Sequence, residues 1–193
     1  MTDELSSSTW NPADYSNIKF VFLDRDGIIN RKPADGNYVT SWPEMEILPG
    51  VEQAIGLLNQ AFRKVIVVTN QRGIALGRLS ERELMLIHGK LQTHLGTFGA
   101  HLDAIYFCPH DYGQCNFRKP APGLFESAFR DFPGASPANS VMIGDSDSDI
   151  LAGARLGMKT ILITDKPDSR KGLTLSPSAT GRSLLEVVTS YLR

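Results

Sequence analysis

The chain has 193 residues, 41% of them hydrophobic and 21% charged, with a formal net charge of −1. This suits one domain with a buried core. The near-neutral balance without a lysine or arginine block argues against sequence-independent nucleic-acid binding, and no apolar run is long enough to span a membrane.

Residues 1–17, MTDELSSSTWNPADYSN, read as an acidic, polar tail rather than a signal peptide. A reducing cytoplasm is the expected setting, in which Cys108 and Cys115 stay unlinked. Residues 18–193 read as a single domain. IKFVFLD (18–24) is an apolar run suited to a buried strand. A turn-rich stretch with Asp35-Gly36 follows. Residues 50–62 carry Val51, Ala54, Ile55, Leu58 and Phe62 at helical spacing, and KVIVVTN (64–70) is a second buried-type strand. Ser80 and Glu83 form a capping box at the start of the helix SERELMLIHGKLQTHL. DAIYF (103–107) is a third strand, 122–132 a short helix, and SVMIGD (140–145) a fourth strand. SDILAGARLG (148–157) is a helix ending at Gly157, TILIT (160–164) a fifth strand, 165–182 a polar loop, and Ser183 with Glu186 opens a last helix. No internal repeat is visible.

Strands alternating with helices predict an α/β fold with a mainly parallel sheet. Such a sheet puts its C-terminal strand ends on one edge, where ligands bind. The residues just past those ends are Asp24, Arg25 and Asp26, then Thr69 and Asn70, then Arg118 and Lys119, then Asp145, Asp147 and Asp149. Carboxylates can hold Mg²⁺, one aspartate can attack phosphorus, and a second can serve as acid and base. A lysine and a hydroxyl can stabilise the transferring phosphoryl group. Taken singly, each element has an ordinary explanation: a turn, a strand exit, a solvated lysine, an acidic helix start. Their order along one edge favours the chemical reading. Separately, Cys108, His110 and Cys115 offer three zinc ligands, one short of a closed structural site.

FLDRDGIIN, VVTNQRGIA, FRKPAPGLF and GDSDSDILAGARLGM together resemble the haloacid dehalogenase (HAD) superfamily of phosphohydrolases, over about residues 18–164. DRDG-x-IN, VTNQ-x-GI, CPH…C and RKP-x-PG resemble the subgroup holding heptose 1,7-bisphosphate phosphatases and histidinol-phosphatase domains. The resemblance implies a three-layer, Rossmann-like fold. It implies Asp24 as nucleophile and Asp26 as general acid/base. Mg²⁺ would lie on the Asp24 carboxylate, the Asp26 carbonyl and Asp145, with Asp149 supporting the metal site from behind. Thr69 and Lys119 would act on the phosphoryl group, Arg118 on the rest of the substrate, and Asn70 would line the same pocket. Asp147 falls where the family requires no acid. Only 44 residues separate Asp24 from Thr69, and 33 lie between Thr69 and the third strand, mostly helix, so a capless fold is expected. Selectivity then falls to loops 31–40 and 108–118.

Three positions depart from the subgroup. Phe117 stands where the family's zinc clip has its fourth ligand, which leaves the loop either metal-free or with a three-ligand zinc completed by water, Asp111 or a histidine from elsewhere. Arg72 stands where serine is common, and reads equally as a cation for a second negative group on the substrate or as a surface arginine. Ile28 also replaces a common threonine. The implied activity is a Mg²⁺-dependent phosphomonoesterase, expected as a monomer, acting on a small phosphorylated metabolite. D-glycero-D-manno-heptose 1,7-bisphosphate comes first, with histidinol phosphate or another sugar phosphate as alternative. A phospho-aspartate receiver module is the reading from another class; it would lack the carboxyl at Asp26. A nucleic-acid 3′-phosphatase ranks low without a basic groove.

Overall fold

A computed structural model describes residues 15–61, 63–165 and 172–192. Six strands form one sheet: β1 (Phe20–Leu23), β2 (Lys64–Asn70), β3 (Ala104–Cys108), β4 (Ser140–Gly144), β5 (Lys159–Ile163) and β6 (Ala179–Gly181). Their order is β3-β2-β1-β4-β5-β6, and every pairing is parallel. The helices are α1 (Val51–Gln60), α2 (Glu81–Thr97), α3 (Gly123–Asp131), α4 (Asp147–Arg155) and α5 (Leu184–Tyr191).

The central strands are apolar on both faces, as parallel strands covered by helices must be. Val21, Leu23, Val65, Val67, Val141 and Ile143 pack with Ile55 and Leu58 of α1, Leu84 and Leu91 of α2, and Val187 and Val188 of α5. The alternate residues Phe20, Phe22, Ile66, Val68 and Met142 pack on the other side with Leu124, Phe125 and Ala128 of α3 and Ala152 of α4. The result is the expected three-layer, Rossmann-like arrangement. Between β1 and β2 the described residues hold only a 3-10 turn, Trp42–Glu44, and α1; α2 alone joins β2 to β3. No cap domain is present among the described residues.

Most of the predicted elements form where the pattern placed them. Ser80 caps α2 by accepting from the Glu83 N–H, while the Glu83 carboxylate accepts from the Ser80 N–H at 2.7 Å. Phe62, expected in the first helix, lies outside the described residues, as do 1–14 of the tail. The tail reading needs correction at its end: Tyr15 is buried, its ring 5.6 Å from that of Tyr191. β6 was also not expected, because 165–182 read as loop. Its pairing with β5 is a backbone matter, and a three-residue strand containing alanine and glycine carries no alternation to read.

Register positions the site. Leu23 of β1 lies level with Val67 of β2 and Ile143 of β4. Asp24 is then level with Val68 and Gly144, and Thr69 and Asp145 follow one residue further along the same C-terminal edge of the sheet.

Candidate active site

Asp24 leaves β1 as its N–H donates to the Ile143 carbonyl at 3.0 Å, which holds its backbone in the centre of the sheet edge. Its carboxylate accepts from Lys119 Nζ at 2.9 Å. Lys119 is buried and also donates to the Val68 carbonyl at 2.6 Å, while its Nζ lies 2.6 Å from Asp149 Oδ1. Asn70 fixes the lysine's backbone: its Oδ1 accepts from the Lys119 N–H at 2.9 Å and its Nδ2 donates to the Lys119 carbonyl at 3.0 Å. Asp149 is fully buried, and its other oxygen caps α4 by accepting from the Ser146 hydroxyl at 2.6 Å.

Asp145 accepts from Lys32 Nζ at 2.7 Å through Oδ2, while its Oδ1 is buried with no hydrogen-bond partner. Asp24, Asp145 and Asp149 each bring a carboxylate oxygen within 4.8 Å of the others. An unpartnered buried oxygen among clustered carboxylates fits a hard divalent cation. Gly27 makes room for this cluster. Its φ is +95°, and a Cβ there would lie 2.3 Å from Asp145 Oδ2. Gly27→Ala is expected to displace Asp145 and to destabilise the fold by about 2 kcal/mol, since left-handed strain and the clash act together. The measurement is thermal unfolding alongside Mg²⁺ titration, with unchanged values in both counting against the close approach.

Asp26 is gripped from three sides. Arg25 Nη2 donates to both its oxygens at 2.9 Å, Asn30 Nδ2 donates at 2.9 Å, and Gln71 Nε2 donates at 3.0 Å. Gln71 Nε2 also donates to Thr69 Oγ1 at 2.9 Å. Behind this, buried Arg25 meets His88 Nε2 of α2 at 3.2 Å through Nη1.

The electrostatics separate the two aspartates. Burial pushes Asp24 up to about 7; Lys119 opposes this, and Asp149, Asp26 and Asp145 add to it. For Asp26 burial also acts upward, but the Arg25 charge and the bonds from Asn30, Arg25 and Gln71 win and hold it below the ordinary carboxylate range. Burial raises Asp145 against the pull of Lys32. Burial works to discharge Lys119, yet Asp149 and Asp24 hold it protonated and raise its pKa. Burial, then the Arg25 charge, drive His88 down to about 3, so it faces Arg25 as a neutral acceptor.

A cleft of about 360 Å³ opens over these groups, walled by residues 32–39, 69–72, Tyr112 and Arg118. Its walls are thus parts of the loops 31–40 and 108–118 singled out in the sequence. The Arg118 guanidinium lies 4.2 Å from the Tyr112 ring centre and that of Arg72 lies 4.8 Å from it. Arg72 lines the cleft and is paired with Asp111, Nε to Oδ1 at 2.5 Å. Arg118 Nε and Nη1 are buried without a partner.

In the neighbouring loop, Cys108 Sγ lies 3.4 Å from Cys115 Sγ and 3.8 Å from His110 Nδ1. Tetrahedral zinc with bonds of about 2.3 Å to sulfur sets its ligands about 3.7 Å apart, so these donors fit three corners. Phe117 supplies no ligand atom from its side chain, which is exposed, although its N–H donates to Cys115 Sγ at 3.4 Å. Asp111 is engaged by Arg72.

Every site residue expected from the sequence edge therefore gathers here, while Asp147 turns away to accept from the Thr174 hydroxyl and N–H. Arg25, Asn30, Lys32, Gln71 and His88 were not anticipated. Only His88 left a trace: it shares helical spacing with Leu84, Leu91 and Leu95 on the apolar face of α2, where a histidine must find a partner.

A parallel sheet whose central strand delivers a buried aspartate to a lysine and a further carboxylate, with a second aspartate two residues on, defines a HAD-type hydrolase centre. The HAD-hydrolase-like family model matches residues 116–186, the part that supplies Arg118, Lys119, Asp145 and Asp149. A D-glycero-alpha-D-manno-heptose-1,7-bisphosphate 7-phosphatase of Mycobacterium bovis is 42% identical over 131 residues, covering 67% of this chain and 68% of the relative. The D-glycero-beta-D-manno-heptose-1,7-bisphosphate 7-phosphatase of Vibrio cholerae is 38% identical over 166 residues, covering 81% of this chain and 87% of the relative. The crystal structure of a D,D-heptose 1,7-bisphosphate phosphatase from B. bronchiseptica, complexed with magnesium and phosphate, superposes with a TM-score of 0.79 at 34% identity, over 90% of this chain and 97% of that one. The chain belongs to the HAD superfamily and, within it, to the family of these heptose-bisphosphate phosphatases.

Proposed function

We propose that the chain hydrolyses the 7-phosphate of a D-glycero-D-manno-heptose 1,7-bisphosphate through an aspartyl-phosphate on Asp24. The observation that carries this is the pairing of Asp24 with buried Lys119 at 2.9 Å while a second carboxylate, Asp26, stands two residues on. Asp24 attacks phosphorus, the bond to the C7 oxygen breaks, and Asp26 supplies that oxygen with a proton. Water then attacks phosphorus, Asp26 takes its proton, and inorganic phosphate leaves with Asp24 restored. In the free enzyme Asp26 is held ionised; an arriving phosphate dianion adds negative charge beside it and favours the protonated form the first step needs. A receiver module would keep its phosphoryl group, having no such acid.

Lys119 neutralises the phosphoryl oxygens. Thr69 Oγ1 already accepts from Gln71, which leaves its hydroxyl hydrogen for a phosphoryl oxygen. Asn70 serves through the Lys119 backbone it clamps and lines the same pocket. Mg²⁺ would be held by the Asp24 and Asp145 carboxylates and the Asp26 carbonyl, and would supply charge neutralisation at the transferring group. Arg118, with unpartnered guanidinium nitrogens, gives the outer cleft positive charge suited to the second phosphate, while Arg72 beside it would have to exchange its Asp111 partner to take part. The proposed setting is a reducing cytoplasm, where thiols stay unlinked. Residues 18–193, joined by Tyr15 packed against the last helix, act as one phosphatase domain, and as a monomer.

The test is Mg²⁺-dependent phosphate release from both heptose bisphosphate anomers, histidinol phosphate and fructose 1,6-bisphosphate. Preference for one heptose anomer by at least about 100-fold in kcat/KM is expected (nearly 3 kcal/mol of discrimination). Preference for histidinol phosphate would replace the substrate, and turnover of none would remove the assignment.

The Cys108–His110–Cys115 cluster is assigned a structural part, bracing the loop that carries Arg118 and Lys119, and any zinc there would occupy three protein ligands. Dialysis against a zinc-selective chelator is expected to leave Mg²⁺-dependent turnover within about twofold, because the phosphoryl chemistry needs no thiolate. Loss of turnover that zinc alone restores would contradict this.

A further inference from the structure

The grip on Asp26 does not end at the loop. Arg25 lies between the two motif aspartates, yet its side chain points inward and is 1% exposed. Its Nε and Nη2 are spent on Asp26, and its Nη1 reaches across to α2, where His88 Nε2 waits at 3.2 Å. His88 is itself 7% exposed and packs edge-on against Phe107 of β3, with ring centres 6.1 Å apart. A buried guanidinium needs acceptors for its N–H groups. Asp26 provides one side of the fork and His88 the other, so the histidine fixes where the planar fork lies, and the fork fixes the carboxylate.

We infer that His88, 63 residues from Arg25 in sequence, is a positioning residue for the general acid/base Asp26, acting through Arg25. It rests on the proposed role of Asp26. The neutral ring accepts the Arg25 hydrogen bond, and His88 touches no reacting atom. Without that acceptor the guanidinium has a buried donor to satisfy, and it rotates toward whatever oxygen is available. Asp26 then loses the orientation that aims it at the leaving oxygen, and small misplacements of this kind lower rates by large factors.

A positioning role and a merely structural one differ in how they depend on the leaving group. A sugar alkoxide needs a proton as it departs; a dinitrophenolate hardly does. His88→Leu removes the acceptor with little change in volume, and His88→Gln keeps one through Oε1. kcat/KM reports the step up to formation of the phospho-enzyme, so it isolates acid catalysis of departure from the later hydrolysis. For His88→Leu a loss of about tenfold or more is expected with the heptose bisphosphate, and less than about twofold with 2,4-dinitrophenyl phosphate. His88→Gln is expected within about threefold of wild type for both substrates. Melting temperatures of both variants accompany the kinetics. Equal losses on the two substrates, or no loss in a folded His88→Leu variant, would overturn the inference. Asp26→Asn run in parallel keeps the two questions apart. If it shows the leaving-group difference and His88→Leu does not, only the part assigned to His88 fails. If Asp26→Asn itself shows none, the role of Asp26 fails and the inference with it.

Discussion

Asp24→Asn is expected to lower kcat by at least about 10⁴-fold on every phosphate ester while leaving the protein folded. The attacking oxygen is replaced by a poor nucleophile, and removal of a covalent nucleophile is among the most damaging single changes an active site can suffer. Folding should survive because asparagine matches the shape of aspartate and still offers an oxygen to Lys119. The substitution also thins a crowd of four carboxylates, Asp24, Asp26, Asp145 and Asp149, whose mutual repulsion together with burial raises Asp24 to about 7. Steady-state phosphate release and a thermal melt on the same preparation decide the matter. Retention of more than about 1% of the wild-type kcat would place the nucleophile elsewhere.

Lys119→Met is expected to damage both activity and stability. The ammonium lies 2.9 Å from Asp24 and 2.6 Å from Asp149, and all three residues are buried. Its removal leaves two carboxylates facing one another without a cation. Breaking a buried pair on one side costs about 3–5 kcal/mol, and the lower end applies here because Asp24 can take up a proton instead. For a chain of this size that corresponds to a fall of roughly 6–12 °C in Tm. Turnover also loses the charge that faces the phosphoryl oxygens, for a further fall of about 10³-fold in kcat/KM. Tm in Mg²⁺-free buffer and kcat/KM with saturating Mg²⁺ separate the two effects. A variant as stable as wild type would show that the lysine does not balance the buried carboxylates.

These effects depend on an arrangement that was partly readable in the chain. The sheet edge was legible because each strand is an apolar run ending in a chemically distinct residue: Leu23 before Asp24, Val68 before Thr69, Gly144 before Asp145. The capping box at Ser80 and Glu83 was legible because it is a local rule. What stayed hidden was the wiring between distant segments. Arg25 between two aspartates looks like a surface charge, and nothing local says that it turns inward to His88. Lys32 and Asp145 are 113 residues apart and Gln71 and Asp26 are 45 apart, and such pairs exist only once the loops converge. Arg72 was ambiguous for the same reason, since its partner Asp111 belongs to another loop. β6 was hidden by having no side-chain pattern, and Tyr15 because one aromatic residue in a polar tail does not announce that it packs on the last helix.

The most direct test of the account follows D-glycero-D-manno-heptose 1,7-bisphosphate by ³¹P NMR during turnover with Mg²⁺. The account predicts that the C7 phosphate signal is replaced by inorganic phosphate while the C1 phosphate remains, and that Mg²⁺ removal or Asp24→Asn stops the change. Release of the C1 phosphate, or release that persists in Asp24→Asn, would contradict it.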